Sequence, residues 1–293
     1  MARFVLSAFA DEAADSLSEQ ITALKENGIG YIEPRNIGGK GILALSNQEL
    51  LEVKAALDKN GIKVNSLGSP IGKFPIEKPF EEHLPDLFRA FNACKLLGTT
   101  NIRIFSFFVE QDKLTQYKDE VISRLNKMVS LANNEGILLC HENESKIYGQ
   151  NPLEVDEIID SVEGLYAIFD PANYRMNGCD IESGINATLK KLAYLHIKDA
   201  IFAEQAIVPA GEGEGMIAEV LNKVNEHTDG VVYLTVEPHL IQFTAYKDID
   251  DHELKGRHSF ANNREAFDFA VNALKKLLIE NGYREDENKE WTR

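Results

Sequence analysis

Residues 137–142 read Ile137-Leu-Leu-Cys-His-Glu142, a short apolar run that ends in an acid. The same pattern occurs three more times further along the chain: Leu165-Tyr-Ala-Ile-Phe precedes Asp170, Ala193-Tyr-Leu precedes His196, and Val231-Val-Tyr-Leu-Thr-Val precedes Glu237. Apolar runs of this length are typical of buried strands. Four consecutive predicted strands therefore each deliver a potential metal ligand at the point where the strand stops.

Two glutamates, one aspartate and one histidine form a set that suits a hard or borderline divalent cation. Taken singly, an acid at a strand end is more often a helix N-cap or an ion-pair partner, and a single histidine is more often a structural hydrogen-bond donor. If the four residues were only helix caps, nothing would require them to follow four consecutive strands. The series predicts an enzyme with a metal site formed by Glu142, Asp170, His196 and Glu237.

Outward from these runs, strand-like segments alternate with amphipathic helices. Further strands are predicted at residues 4–9, 29–33, 62–67 and 101–105, which gives eight strand candidates and about eight helices. Alternating β and α elements indicate a parallel sheet, and eight repeats favour closure into a single-domain (β/α)8 TIM barrel. A doubly wound sheet is the main alternative, but it would place its active groups at one crevice. A barrel instead brings the ends of all its strands to one mouth.

The chain has 293 residues, a formal net charge of −16, and no linker or low-complexity segment. We predict one barrel domain over residues 1–283, followed by an acidic tail over 284–293. The negative charge argues against nucleic acid and against an anionic membrane surface as partners. Apolar runs stay well below the ~18 residues of a membrane span. The cysteines Cys94, Cys140 and Cys179 are far apart, which indicates reduced thiols in a cytoplasmic protein.

Several segments resemble the xylose-isomerase-like barrel superfamily, in particular its sugar phosphate isomerase/epimerase members. They occur in the same order along nearly the whole chain: Glu33-Pro-Arg35, Ser69-Pro-Ile-Gly-Lys73, Arg103-Ile-Phe-Ser-Phe107, His141-Glu-Asn-Glu144, Phe169-Asp-Pro-Ala-Asn173, His196-Ile-Lys-Asp199, Pro209-Ala-Gly-Glu-Gly213 and Glu237-Pro-His239. The resemblance implies an enzyme that acts on a small carbohydrate. It does not select the substrate, since the superfamily also contains hydroxypyruvate isomerases, inosose dehydratases and ketose 3-epimerases.

In the epimerase-like members, one Mn²⁺, Mg²⁺, Co²⁺ or Zn²⁺ ion is held by residues from strands five to eight. The resemblance assigns these roles to Glu142, Asp170, His196 and Glu237. A divalent ion bound to a carbonyl and a neighbouring hydroxyl lowers the pKa of the C–H group between them and stabilises the resulting enediolate. Two carboxylates on opposite faces of that carbon can transfer its proton. Glu142 and Glu237 are therefore the predicted catalytic pair.

Six further residues are predicted to bind substrate, since each lies in one of the matching segments: Glu33, Arg35, Lys73, Arg103, Asn173 and Lys198. Ion pairs remain an alternative, either between Glu33 and Arg35 or between Lys198 and one of Asp170 and Asp199. Asn173 stands where endonuclease IV, a three-zinc nuclease of the same superfamily, has a histidine. With the −16 charge, this argues against a nuclease.

Three functions remain open at this point. The favoured one is a metal-dependent isomerase or epimerase acting next to a carbonyl. The alternatives are a metal-dependent dehydratase of a keto-cyclitol and a non-catalytic carbohydrate-binding barrel. A homodimer is the default expectation for the assembly. The long connection over residues 238–261 is interpreted as a lid, a dimer arm or a solvated insertion.

Overall fold

The computed structural model describes residues 1–244 and 257–293, and its strands form the wall of a (β/α)8 barrel. The barrel strands are β1 (Ala2–Ala8), β2 (Tyr31–Ile32), β3 (Lys63–Val64), β4 (Asn101–Ile104), β5 (Leu138–Glu142), β6 (Tyr166–Phe169), β7 (Leu192–Ile197) and β8 (Gly230–Val236). Both the predicted fold class and the predicted order of the strands are confirmed. Strands β2 and β3 are shorter than the sequence pattern indicates.

The ring closes through a few backbone hydrogen bonds at these short strands. Six strands pair in parallel in the order β1-β8-β7-β6-β5-β4, and β2 pairs in parallel with β3. The amide of Leu67, just after β3, donates to the carbonyl oxygen of Asn101 in β4 at 2.9 Å. The amide of Glu33, just after β2, donates to the carbonyl oxygen of Ala8 in β1 at 3.1 Å. The carboxyl ends of all eight strands therefore share one mouth.

Amphipathic helices cover the outside of this wall. They are α1 (Leu17–Glu26), α2 (Asn47–Lys59), α3 (Leu84–Leu97), α4 (Leu114–Asn134), α5 (Pro152–Ser161), α6 (Pro171–Met176), α7 (Ile181–Leu189), α8 (Ile217–His227) and α9 (Asn263–Glu280). Ser46 and Glu49 form a capping box at the start of α2. Pro85 lies in the first turn of α3, where its missing amide hydrogen costs no helical hydrogen bond.

Among the described residues, buried apolar side chains form two clusters, and neither includes the polar residues of the mouth. The larger one lies between the helices and the strands. The smaller one consists of Cys140, Ile168 and Tyr194 from β5, β6 and β7. Side chains two residues apart share a face of a strand, so Cys140 and Tyr194 point to the same side as Glu142 and His196. This small cluster is therefore the floor beneath the mouth.

The C-terminal residues 284–293, predicted as an acidic tail, form a hairpin against the barrel. Its strands are Arg284–Glu285 and Glu290–Thr292, the second of which pairs antiparallel with β1, and Trp291 is buried. Within residues 1–244 and 257–293, no helix has the length and apolarity needed to cross a bilayer. The connection interpreted as a lid or arm includes residues 245–256, which lie outside the described residues.

Candidate metal centre

The four strand-end residues meet at the barrel mouth. Glu142, Asp170, His196 and Glu237 each offer one donor atom, and these atoms lie within 4.8 Å of one another. All four side chains are buried, with exposures between 0% and 3%. The structure therefore brings together the complete ligand set that the sequence predicts.

His196 presents one ring nitrogen to this cluster and the other to Glu33. Its Nδ1 lies 2.8 Å from Oε1 of Glu142 and 3.5 Å from Oε2 of Glu237. Its Nε2 lies 3.3 Å from Oε2 of Glu33. A carboxylate on the far nitrogen fixes both the tautomer and the orientation of a ligating histidine. Nδ1 is therefore the nitrogen that would coordinate an ion.

Glu33 is enclosed by donors from the barrel interior. Its Oε1 accepts the hydroxyl of Tyr194 at 2.9 Å, and its Oε2 accepts the hydroxyl of Thr235 at 3.0 Å as well as approaching His196. Glu33 was predicted to bind substrate. The structure shows that its carboxylate contacts Nε2 of His196 and orients the imidazole, and substrate binding by Glu33 stays a prediction.

Each of the two predicted catalytic glutamates is held by an arginine through one oxygen. Arg103 donates from Nη1 to Oε2 of Glu142 at 3.2 Å. Arg35 donates from Nη1 to Oε1 of Glu237 at 3.1 Å. The other oxygen of each glutamate is the one that approaches Nδ1 of His196. The arginines therefore fix the two carboxylates while leaving one oxygen of each directed into the cluster.

Asp170 caps a helix through one carboxylate oxygen, and its role as a metal ligand stays a prediction. Its Oδ1 accepts the amide of Asn173 at 2.9 Å and so caps α6. Its Oδ2 lies 3.0 Å from Nζ of Lys198. Lys198 therefore pairs with Asp170. Asp199 instead accepts backbone amides from residues 211, 213 and 215 and fixes that glycine-rich loop.

The charges in this cluster shift one another's pKa strongly. Burial raises the pKa of Asp170 to about 7, and the neighbouring carboxylates Glu237 and Glu142 add to the rise. Burial alone would raise the pKa of Glu142, but the charges of His196 and Arg103 outweigh it and bring that pKa to about 2. Burial alone would lower the pKa of His196, but Glu142 and Glu33 raise it to about 10. The shifts show that these buried groups interact strongly through their charges.

The residues present fit a bound divalent cation. Six buried carboxyl groups surround the mouth, together with Arg35, Arg103, Lys198 and the imidazole of His196: Asp11, Glu12, Glu33, Glu142, Asp170 and Glu237. Buried carboxylates must be paired or coordinate a metal, and a divalent ion would be held by several of these oxygens at once. The buried Oε2 of Glu237 accepts no hydrogen bond from any described residue, and Oδ2 of Asp170 has an ion pair with Nζ of Lys198 at 3.0 Å. Three carboxylates and one imidazole suit Mn²⁺, Mg²⁺, Co²⁺ and Zn²⁺ alike.

Sequence reasoning missed two acids at this site. Asp11 and Glu12 follow β1, and both accept hydrogen bonds from Arg35. Burial raises the pKa of Glu12 to about 8, although Arg35 opposes the rise. The strand-end rule that identified Glu142 would have found them, because they too come directly after an apolar run. They use most of the donors of Arg35, which was predicted to bind substrate.

The remaining predicted substrate-binding residues lie around the same mouth. Nζ of Lys73 is 3.0 Å from Oε2 of Glu144. Nδ2 of Asn173 donates to the carbonyl oxygen of Asn143 at 2.9 Å and lies 3.5 Å from Oε1 of Glu142. Asn143 was not singled out in the sequence. Its side chain also bonds both backbone groups of Asp170, which ties the end of β5 to the start of α6.

Comparison with known proteins agrees with the barrel fold. A family model described as xylose isomerase-like TIM barrel matches residues 21–254 of the chain. The curated proteins give no match.

Several solved structures share the fold at low identity. The probable 3-DHS dehydratase AsbF from Bacillus anthracis is 14% identical with a TM-score of 0.71, over 92% of this chain and 98% of that chain. The IolI protein, described with a binding zinc atom, is 17% identical with a TM-score of 0.71, over 94% and 98%. The 3-keto-D-glucoside 4-epimerase YcjR from E. coli is 16% identical with a TM-score of 0.65, over 94% and 99%. At these identities the likeness shows the fold alone.

Proposed function

Because the chain belongs to the xylose isomerase-like TIM barrel family, we propose that it is a divalent-metal-dependent isomerase or epimerase of a sugar or keto-sugar. The proposed reaction is proton transfer at the carbon next to a carbonyl. The observation that carries this proposal is the buried cluster of Glu142, Asp170, His196 and Glu237 at the barrel mouth. Structural relatives named as sugar epimerases support it, since they have the same fold.

Glu142 and Glu237 are the proposed proton-transfer pair. Arg103 and Arg35 each hold one carboxylate oxygen, so the second oxygen of each glutamate keeps a fixed direction toward the bound substrate. Although burial alone would raise the pKa of Glu142, the charges of His196 and Arg103 bring it to about 2, which keeps this glutamate ionised. In an epimerisation, one glutamate removes the proton from one face of the carbon and the other delivers a proton to the opposite face. In an isomerisation, the proton is instead delivered to the adjacent carbon of the enediolate.

Other residues of the site hold the substrate and the ligands in place. Asp170 and His196 would anchor a divalent ion together with the two glutamates, and such an ion would withdraw electrons from a carbonyl and acidify the adjacent C–H bond. Glu33 keeps Nδ1 of His196 directed into the site. Lys198, 3.0 Å from Asp170 and 3.5 Å from Glu237, is placed to donate to a substrate oxygen.

Solvent exchange tests this function directly. The Mn²⁺-loaded protein is incubated in D₂O with a panel of ketoses, keto-cyclitols and hydroxy-keto acids, and the products are followed by NMR. We expect deuterium at the carbon next to the carbonyl of at least one compound. Loss of a β-hydroxyl instead of exchange would identify a dehydratase. Complete absence of exchange and of water loss across the panel would contradict the proposal.

Two substitutions assign the roles within the same assay. Glu142→Gln and Glu237→Gln should each lower the exchange rate by at least about 10²-fold, the usual contribution of a positioned acid–base group. Glu157→Gln is the matched control. Glu157 lies away from the mouth and accepts a hydrogen bond from a tyrosine hydroxyl at a distance of 2.6 Å. Full activity of both mouth variants would show that the glutamates have been given the wrong roles.

A further inference from the structure

A cavity of about 260 Å³ opens beside the candidate metal centre. Its polar lining consists of Arg35, Asn36, Lys73 and Arg103, and its other walls come from residues 41–44, Gly68 and Pro70. No carboxylate is among the described residues that line it, although Nζ of Lys73 forms an ion pair with Oε2 of Glu144 at 3.0 Å. A water occupies about 30 Å³ in the liquid, so the cavity has room for a group of several heavy atoms.

Arg103 is held rigidly at the boundary between this cavity and the metal centre. Its Nε donates to the carbonyl oxygen of Ser69 at 3.3 Å, and its Nη1 donates to Glu142. The guanidinium lies 5.0 Å from the ring centroid of Phe9 and 5.1 Å from that of Phe105. No described residue accepts a hydrogen bond from its Nη2. Arg103 therefore has a fixed orientation and retains donor capacity.

Lys73 is carried to the same cavity by a loop that is firmly anchored. The amide of Gly72 donates to Nε2 of His83 at 2.9 Å, and the carbonyl oxygen of Gly72 accepts the amide of Phe107 at 3.0 Å. Gly72 has φ +90°, and a Cβ there would lie 2.0 Å from the carbonyl oxygen of Phe105. Nζ of Lys73 lies 4.7 Å from the Phe105 ring centroid. Phe105 therefore supports both cations.

We propose that the substrate carries an anionic group, a carboxylate or a phosphate, and that Arg103 and Lys73 bind it in this cavity. A planar guanidinium with unused donors matches the oxygens of either group. Most of the donors of Arg35 already serve Asp11, Glu12 and Glu237, so Arg35 contributes mainly charge.

The positive charge of this cavity would offset the repulsion between an anionic ligand and the rest of the chain. The formal net charge of −16 repels anionic ligands over most of the surface. The inference rests on the proposed function, because it places the anionic group on the same substrate whose reacting carbon meets Glu142 and Glu237. Arg103 lines the cavity and also donates a hydrogen bond to Glu142, so this one side chain connects the cavity to the reacting centre.

Matched substrates give the first test. The Mg²⁺-loaded full chain is assayed for solvent exchange with sets of ketoses that differ only in a terminal hydroxymethyl, carboxylate or phosphate ester group. We expect kcat/KM for one anionic member to exceed that of the neutral member by at least about 100-fold, which is about 2.7 kcal/mol. The preferred member also shows whether the group is a carboxylate or a phosphate. Equal rates for neutral and anionic members would overturn the subsite while leaving the proposed function intact.

Binding of inorganic phosphate gives a test that does not need turnover. The Mg²⁺-loaded protein is titrated calorimetrically with phosphate, and Lys73→Gln should raise the Kd at least about tenfold because it removes a charge-assisted hydrogen bond. Lys78→Gln is the matched control, a lysine on the same connection that does not line the cavity. Metal content is measured in both variants. The titration is repeated with acetate as the carboxylate probe. Absence of binding of both anions, or an equal Kd for the bound anion in wild type and Lys73→Gln, would overturn the subsite even if no ketose is turned over.

Discussion

Replacing Glu33 by glutamine should weaken metal binding although Glu33 is not itself a proposed ligand. Its carboxylate accepts from Tyr194, Thr235 and Nε2 of His196. A glutamine keeps the size but removes the negative charge opposite Nε2 of His196. His196 then loses the carboxylate that fixes its tautomer and raises its basicity as a ligand.

The expected size of the effect follows from this contact. Loss of a carboxylate behind a ligating histidine typically lowers metal affinity about 10- to 100-fold, which is about 1.4 to 2.7 kcal/mol. At a metal concentration about 100 times the wild-type Kd, binding stabilises the fold by about 2.7 kcal/mol. A 100-fold weaker site retains only about 0.4 kcal/mol of this. For a chain of this length the difference corresponds to about 4 °C in the metal-induced shift of Tm.

The assay compares thermal unfolding with and without Mn²⁺ for wild type and Glu33→Gln, and calorimetry measures the Kd directly. Taking the difference between the two conditions removes any change in the stability of the metal-free fold. Glu157→Gln serves again as control, since Glu157 also accepts a tyrosine hydroxyl. An unchanged Kd and an unchanged metal-induced shift in Glu33→Gln would refute the role of Glu33 in orienting His196.

Two predictions concern stability. Gly72→Ala should lower the free energy of unfolding by about 3 kcal/mol or more, because it combines a left-handed φ with overlap on the Phe105 carbonyl. Urea unfolding tests this against Gly38→Ala, which has φ +62° but nothing within 4 Å and should cost only about 1 kcal/mol. Burial lowers the pKa of His141 to about 4. The unfolded chain therefore binds a proton that the native state does not as pH falls from about 6.5 toward 4. Between pH 6.5 and 5, this group should lower the free energy of unfolding of the wild type by about 2 kcal/mol, and His141→Gln should lack that decrease. An equal dependence of the free energy of unfolding on pH in both proteins would contradict the prediction.

The strand-end pattern was sufficient to predict the barrel and its four-residue cluster. Short apolar runs specify strand positions, and the shared mouth of a closed barrel then brings their terminal residues together. Each of these four predictions depended only on local sequence and on the topology. Asp11 and Glu12 obey the same rule after β1, so their omission reflects incomplete use of the pattern.

The partners of the cationic residues could not be predicted in the same way. Arg35 reaches Glu237, which lies 202 positions away in the sequence, and Glu33 reaches His196 across 163 positions. Such contacts depend on side-chain directions inside the closed ring, which periodicity does not specify. The hairpin around Trp291 was also missed, because its charged sequence resembles a tail and its pairing partner is β1 at the opposite end of the chain.

The position of a bound ion is the most direct test of the central claim. Crystals of the full chain grown with Mn²⁺ are measured near the manganese absorption edge, and an anomalous difference map locates the metal. The account predicts one strong peak among Glu142, Asp170, His196 and Glu237, in contact with Nδ1 of His196. A fully ordered cluster with no peak, or a peak only at another site, would contradict it.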